Sequence, residues 1–175
     1  KQCHGYLGHE LLSAVDRPGP YGGDLDGRTR FVRSVLDGIR SAAPGLGLGV
    51  RLSLFDIAPH GAGPDGVGIP QVTGGAAYPY AFGGDGTGEG IDLTEVHALI
   101  DRLVAGGVTM LCATASSPYY APHAQRPAFF PPSDGYLPPR DPLVDLAVLQ
   151  GVTAEVTRAH PDVVVVGSGL TYLQD

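Results

Sequence analysis

Charge is scarce in this chain, and its scarcity sets the first limits on function. Charged residues make up 17% of the 175 residues, the formal net charge at pH 7 is −7, and Lys1 is the only lysine. Nucleic acids and anionic membrane surfaces are bound largely through clusters of lysine and arginine, and this chain has no basic run. We therefore expect neither nucleic acid nor a membrane among its partners.

Cysteine, asparagine and long apolar runs are also rare or missing. Two cysteines, Cys3 and Cys112, are too few for a disulfide framework or a zinc cluster, and we expect buried free thiols. The histidines have no metal-ligand spacing, so no metal site is predicted. Without asparagine there is no N-glycosylation site. No apolar run reaches the roughly 18 residues of a membrane span, and no signal-peptide pattern is visible. These features are typical of a cytoplasmic protein.

Glycine and proline are abundant, and they separate regular apolar segments by long loops. The apolar periodicity predicts a strand that ends near residue 7 and further strands over 46–54, 108–114 and 163–166, the last of them fully buried. It predicts helices over about 28–42, 92–105 and 141–160, and a further helix start at Leu170. Asp92 and Glu95 have the spacing of a capping box. Loops are expected over 8–27, 55–91 and 116–140.

Strands that alternate regularly with helices predict an α/β protein with a parallel sheet. A doubly wound sheet and a (β/α)8 barrel both fit this order. The long loops all follow strands, whereas the helix-to-strand turns are short, and that asymmetry favours the barrel. A whole barrel needs eight strands and about 250 residues. We therefore expect residues 1–175 to form one partial TIM-barrel domain, about half of a barrel.

Polar side chains of three kinds stand close together at the start of the chain. His4 and Tyr6 are two residues apart and would share one face of an extended strand. Lys1 joins them only if the strand bends or ends near Cys3. Such a group could hold a carbonyl oxygen and deliver a proton. The alternative interpretation is a polar end of a strand that has no catalytic role. Arg51, in an otherwise apolar strand, needs a buried acid or an anionic ligand.

Three stretches, in this order, carry a family resemblance. They are Lys1-Gln2-Cys3-His4-Gly5-Tyr6-Leu7, then Arg17 to Phe31 with its Tyr21-Gly22-Gly23, and Val50-Arg51-Leu52-Ser53. With them the chain resembles the Old Yellow Enzyme family of NADH:flavin oxidoreductases over essentially its whole length. The resemblance implies an FMN-binding (β/α)8 TIM barrel, of which this chain covers the end of strand 4 to strand 7.

The resemblance also implies a reaction and its catalytic residues. In that family NADH or NADPH reduces FMN, and hydride then passes to the activated C=C bond of an α,β-unsaturated carbonyl compound. By position, Lys1 and His4 would hold the carbonyl oxygen of this small-molecule substrate. Tyr6 would give the proton to the α-carbon.

Cofactor and substrate contacts follow from the same positions. Arg51 would lie by the pyrimidine edge of the flavin. Gly167, Ser168 and Gly169 would offer backbone N–H groups to the FMN phosphate, helped by the helix expected at Leu170. The loop that carries Tyr119, Tyr120 and His123 is expected to contact substrate or nicotinamide.

The chain departs from the family pattern at Lys1, where a histidine is usual, and at Asp24 and Gly27, where serine and asparagine are usual. Two alternatives remain open. One is an aldolase-like barrel in which Lys1 forms a Schiff base, and the other is a non-catalytic barrel fragment. The sequence leaves open the substrate, the choice between NADH and NADPH, and a homo-oligomer of the full-length protein.

Overall fold

The long helices alternate with the strands of the parallel sheet in this computed structural model, which describes residues 1–72, 77–128 and 135–170. The helices are α1 (Leu7–Leu12), α2 (Leu25–Ala42), α3 (Thr94–Ala105), α4 (Pro122–Gln125) and α5 (Pro142–Ala159). The strands are β1 (Leu48–Ser53), β2 (His60–Ala62), β3 (Gly68–Pro70), β4 (Val108–Thr114) and β5 (Val164–Val166). The three long helices and the strands near 48, 108 and 164 confirm the predicted elements.

β1, β4 and β5 form a parallel sheet in that order. The register places Arg51 of β1 opposite Cys112 of β4. Gln2 extends the sheet beyond β1 by a single parallel bridge to Leu52, and the Gln2 N–H donates to the Arg51 carbonyl oxygen at 2.7 Å. The carboxyl ends of β1, of β4 and of the extended segment around Gln2 therefore lie at the same edge of the sheet. The predicted α/β class is confirmed.

The predicted TIM barrel is wrong, because the described residues form no closed barrel. They contain the three-stranded parallel sheet and a two-stranded antiparallel sheet of β2 and β3. A closed barrel has no free edge, whereas β5 is an open edge on which Val164 and Val166 are 59% and 44% exposed. The fully buried strand expected over 163–166 is wrong for the same reason. Strand–helix alternation predicts parallel pairing, but closure needs further strands on both edges.

The sheet has one covered and one open face. Alternate residues of β1 and β4 are buried in the main core, among them Val50, Leu52 and Leu111. That core also contains apolar residues of α2, α3 and α5, such as Leu36, Leu99 and Leu149. The opposite face carries Arg51, Cys112 and Met110 of the same strands and is partly exposed. The helices therefore leave one face of the sheet accessible near its carboxyl edge.

Two local predictions fail at helix starts. Residues 7–12 form α1 where a loop was expected, because a helix of six residues is too short to show a clear period. The Asp92–Glu95 capping box is absent: the Asp92 carboxylate accepts from the Thr94 N–H at 2.9 Å, but Glu95 pairs with Arg28 instead. By contrast, the helix expected over 141–160 begins where predicted, and Asp141 caps α5 by accepting from the Leu143 N–H at 2.9 Å.

Candidate active site

A sharp turn at His4 and Gly5 shapes the candidate site. His4 has φ +59° and Gly5 has φ +71°, so the extended segment ends at Cys3 and the chain turns into α1. A Cβ atom at residue 5 would lie 2.7 Å from Tyr119 Cδ2, and this position therefore requires glycine. Backbone strain at a non-glycine residue such as His4 is typical of functional sites.

The turn brings Lys1 to Tyr6. Lys1 Nζ lies 4.2 Å from the centre of the Tyr6 ring, a cation–π distance. Tyr6 immediately precedes α1, and its side chain is 56% exposed. The sequence predicted that Lys1 could lie near His4 and Tyr6 only if the strand bends near Cys3, and this bend is present. The shared strand face expected for His4 and Tyr6 is wrong, because the strand does not continue through them.

His4 is held as a neutral hydrogen-bond donor. Its Nε2 lies 3.0 Å from Thr114 Oγ1 at the end of β4 and 3.3 Å from the Gln125 amide nitrogen. An amide nitrogen only donates, so Nε2 accepts and the ring proton lies on Nδ1. Burial, and then the positive charges of Arg51 and Lys1, lower the pKa of His4 to about 4. At neutral pH the imidazole therefore carries one N–H, on the nitrogen that faces away from Thr114.

Arg51 has an unsatisfied donor. Its Nε is buried and has no hydrogen-bond partner among the described residues. The side chain lies on the open face of the sheet, close enough to lower the pKa values of His4 and of the buried Cys3 thiol, although burial still raises that of Cys3 overall. A buried N–H without an acceptor is costly. A ligand atom that accepts a hydrogen bond would remove that cost.

Gly167, Ser168 and Gly169 follow β5 at the same edge of the sheet. The Ser168 carbonyl oxygen accepts from the Gln150 amide at 2.7 Å, and Ser168 Oγ lies 4.0 Å from Cys112 Sγ. Gly169 has φ +84°, and a Cβ atom there would approach Leu146 Cδ1 to 2.9 Å. The helix expected to continue from Leu170 lies outside the described residues.

The structure separates the three predicted substrate-loop residues. Tyr119 is exposed and lies against Gly5, beside His4. Tyr120 instead donates to Glu10 at 2.6 Å. His123 is buried, with its Nδ1 2.8 Å from the Tyr136 hydroxyl. Burial lowers the pKa of His123 to about 4. Only Tyr119 therefore borders the His4 turn.

A buried histidine–aspartate pair supports this turn and was not anticipated from the sequence. The Gly5 N–H donates to His9 Nδ1 at 2.9 Å, and His9 Nε2 lies 2.7 Å from Asp56 Oδ2. His9 and Asp56 are both almost fully buried. Forty-seven positions separate the two residues, so no local spacing could indicate the pair. Thr114 and Gln125, which hold His4, were missed for the same reason.

Residues 1–72, 77–128 and 135–170 contain no group of three or more His, Cys, Asp or Glu side chains placed to hold a metal ion. Over the same ranges, none of the helices combines the length and apolarity needed to cross a membrane.

The geometry defines an α/β protein with a basic, hydrogen-bond-donating site at the carboxyl edge of a parallel sheet. No protein-family model matches the chain. Over 56 residues, 31% of its length, the chain is 42% identical to "Putative 12-oxophytodienoate reductase 2" of Oryza sativa subsp. japonica, an Old Yellow Enzyme relative. The match spans 15% of that protein. The similarity is therefore confined to a short part of both chains.

Proposed function

We propose that the protein is an FMN-dependent oxidoreductase that reduces the activated C=C bond of an α,β-unsaturated carbonyl compound, with NADH or NADPH as reductant. The observation that carries this proposal is the buried Nε of Arg51, which has no partner in the part of the chain that the structure describes and lies near a neutral His4. FMN supplies hydride transfer when bound, and its ring offers acceptor atoms for a guanidinium N–H. Arg51 fits such a ring, because it combines a fixed positive charge with a free donor.

His4 is proposed to hold the carbonyl oxygen of the substrate. With Nε2 engaged by Thr114 and Gln125, the Nδ1–H remains as a donor. A donor fixed before the reaction stabilises the negative charge that develops on that oxygen as the double bond is reduced. The lowered pKa keeps His4 neutral, so it polarises the carbonyl without giving up a full proton.

Tyr6 is proposed to deliver the proton to the α-carbon, since its exposed phenol follows directly after the His4–Gly5 turn. Lys1, which stacks on the Tyr6 ring, would orient the phenol and provide a second cation near the substrate oxygen. Gly167, Ser168 and Gly169 would contribute backbone N–H groups to the FMN phosphate.

The decisive experiment is titration of the protein with FMN, followed by the quenching of flavin fluorescence. We expect saturable binding, and we expect Arg51→Gln to weaken it at least about tenfold, since a hydrogen bond to a charged group is worth roughly 1.5–3 kcal/mol. Arg158→Gln, an exposed arginine on α5, is the matched control and should bind FMN normally. Turnover of a cyclohexenone-type enone with NADH and with NADPH then tests the reaction. A folded protein that does not bind FMN would refute the proposal.

The structure gives less support to a Schiff-base role for Lys1. A nucleophilic lysine is usually desolvated in an apolar pocket or placed beside another cation, whereas Lys1 is exposed and stacks on Tyr6. Borohydride treatment in the presence of a carbonyl substrate separates the two chemistries. We expect no covalent adduct at Lys1.

A further inference from the structure

A cavity lies beside α1. It has a volume of about 310 Å³ and is lined by the side chains of Tyr78, Tyr80 and Tyr120 together with Glu10 and Asp56. We call it the tyrosine cavity. Lys1, His4, Tyr6 and Arg51 do not line it, although Asp56 is linked to the His4 turn through His9.

Asp56 carries a buried negative charge that its surroundings leave uncompensated. The carboxylate is almost fully buried, and its Oδ1 has no hydrogen-bond partner within residues 1–72, 77–128 and 135–170. Its contact at Oδ2 is with His9. His9 Nδ1 accepts the Gly5 N–H, so it carries no proton and His9 is neutral. The pair therefore supplies one hydrogen bond but no opposite charge.

The rest of the cavity adds to this negative potential. Glu10 accepts the Tyr120 hydroxyl at 2.6 Å, and the neighbouring Tyr80 hydroxyl donates to Asp16 at 2.6 Å. Burial, and then the nearby charges of Asp56 and Glu10, raise the pKa of Tyr78. Among the described residues, the ion pairs contain no lysine or arginine bound to Asp56 or Glu10. A buried carboxylate without a cation is strongly disfavoured.

Aromatic walls and free carboxylate oxygens together select an organic cation over a metal ion. Metal ions such as Ca²⁺ and Mg²⁺ need about six oxygen ligands, and the cavity offers two carboxylates, of which Tyr120 already engages one. Tyrosine faces attract ammonium groups through the ring quadrupole. The volume is at the lower end of ligand pockets, which suits a small ligand.

We propose that the tyrosine cavity binds a small organic ammonium ion. The ammonium group donates to Asp56 Oδ1 and is held near Glu10, and its organic part packs on the rings of Tyr78, Tyr80 and Tyr120. Its lining residues differ from those of the site at His4 and Arg51.

The test compares benzylamine, which is cationic at neutral pH, with benzyl alcohol, which has a similar size but no charge. Because the chain has no tryptophan, tyrosine fluorescence can follow binding, and calorimetry gives the affinity. We expect benzylamine to bind at least about tenfold more tightly than benzyl alcohol, as one charged hydrogen bond requires. Equal affinities for the two probes would overturn the proposal.

Substitutions locate the binding. Asp56→Asn keeps the acceptor for the His9 N–H and removes the charge, so it should weaken benzylamine binding at least about tenfold and leave benzyl alcohol unchanged. Asp37→Asn, at an exposed position of α2, is the matched control and should have no effect. Unchanged benzylamine affinity in folded Asp56→Asn would overturn the proposal.

A further variant covers the case in which Asp56→Asn fails to fold. Glu10→Gln changes an exposed side chain and retains an acceptor for the Tyr120 hydroxyl. It should weaken benzylamine binding by a smaller factor than Asp56→Asn, because Glu10 is more solvated. No change in this variant, together with equal binding of the two probes, would also overturn the proposal.

Discussion

His4 titrates in an environment that strongly favours its neutral form. Burial is the largest cause, and the charges of Arg51 and Lys1 add to it, so the pKa falls from 6.5 to about 4. We predict that Arg51→Gln raises the pKa of His4 but leaves it below 6.5, because burial remains. NMR titration of the His4 ring protons measures this, with Arg158→Gln as the control. A pKa unchanged by Arg51→Gln would show that the guanidinium is not close to the imidazole.

The same shift has a consequence for stability. Since the folded pKa of His4 lies below its unfolded value, the unfolded chain takes up the proton first as the pH falls. The free energy of unfolding should therefore decrease from about pH 6.5 down to about pH 4, and His123, with a similar pKa, contributes in the same direction. Urea unfolding of the wild type and of His4→Gln measures the effect, and the variant should lose less stability over this range.

Some residues of the candidate site could be predicted from the sequence, and others could not. Lys1, His4, Tyr6 and Arg51 stand in short, recognisable stretches, and the structure places all four near the carboxyl edge of the sheet. The supporting residues lie far away in the chain: Thr114 is 110 positions from His4, and Asp56 is 47 positions from His9. Such partners are brought together only by the tertiary fold, so local spacing contains no trace of them.

At the scale of a single element, α2 offers a matched pair of glycines. A Cβ atom on Gly27, in the first turn, would lie 2.1 Å from the Gly22 carbonyl oxygen, whereas one on Gly38 would meet no atom within 4 Å. We predict that Gly38→Ala stabilises the protein by about 0.5–1 kcal/mol, the difference in helix propensity. Gly27→Ala should destabilise it despite the same gain in propensity. Chemical denaturation compares the two, and a stabilised Gly27→Ala variant would contradict the observed packing of the loop.

The elements themselves were predictable where the apolar period was long. α2 and α5 each span 18 residues, and their periodicity located them to within a few positions. The short hairpin of β2 and β3 was missed, because its strands have three residues each and lie in a glycine-rich loop. Sheet closure was predicted wrongly, since it depends on which strands meet at the edges rather than on any one segment.

At the scale of the whole molecule, Arg28 ties α2 to the loop before it, to α1 and to α3. Its guanidinium is buried, donates to the carbonyl oxygens of Leu12 at 2.8 Å and Gly23 at 2.9 Å, and pairs with Glu95. We predict that Arg28→Met lowers the free energy of unfolding by about 3 kcal/mol, because three acceptors lose their donor. Arg158→Met, exposed on α5, should change it little. Thermal and urea unfolding provide the measurement, and equal stability of the two variants would contradict this role.

The parallel register also has a consequence for synthesis on the ribosome. Gln2 pairs with Leu52, and Leu52 pairs with Ala113. Each of these segments is therefore synthesised well before the segment that pairs with it on its later side. Until β4 has left the exit tunnel, Val50 and Leu52 of β1 have no neighbouring strand to cover that edge. The ends of β1 and β4, Ser53 and Thr114, are 61 positions apart. The nascent chain therefore presents an apolar strand while those residues are added, at roughly 5–20 residues per second. A chaperone that binds short apolar segments would therefore have a binding site at β1 during this interval.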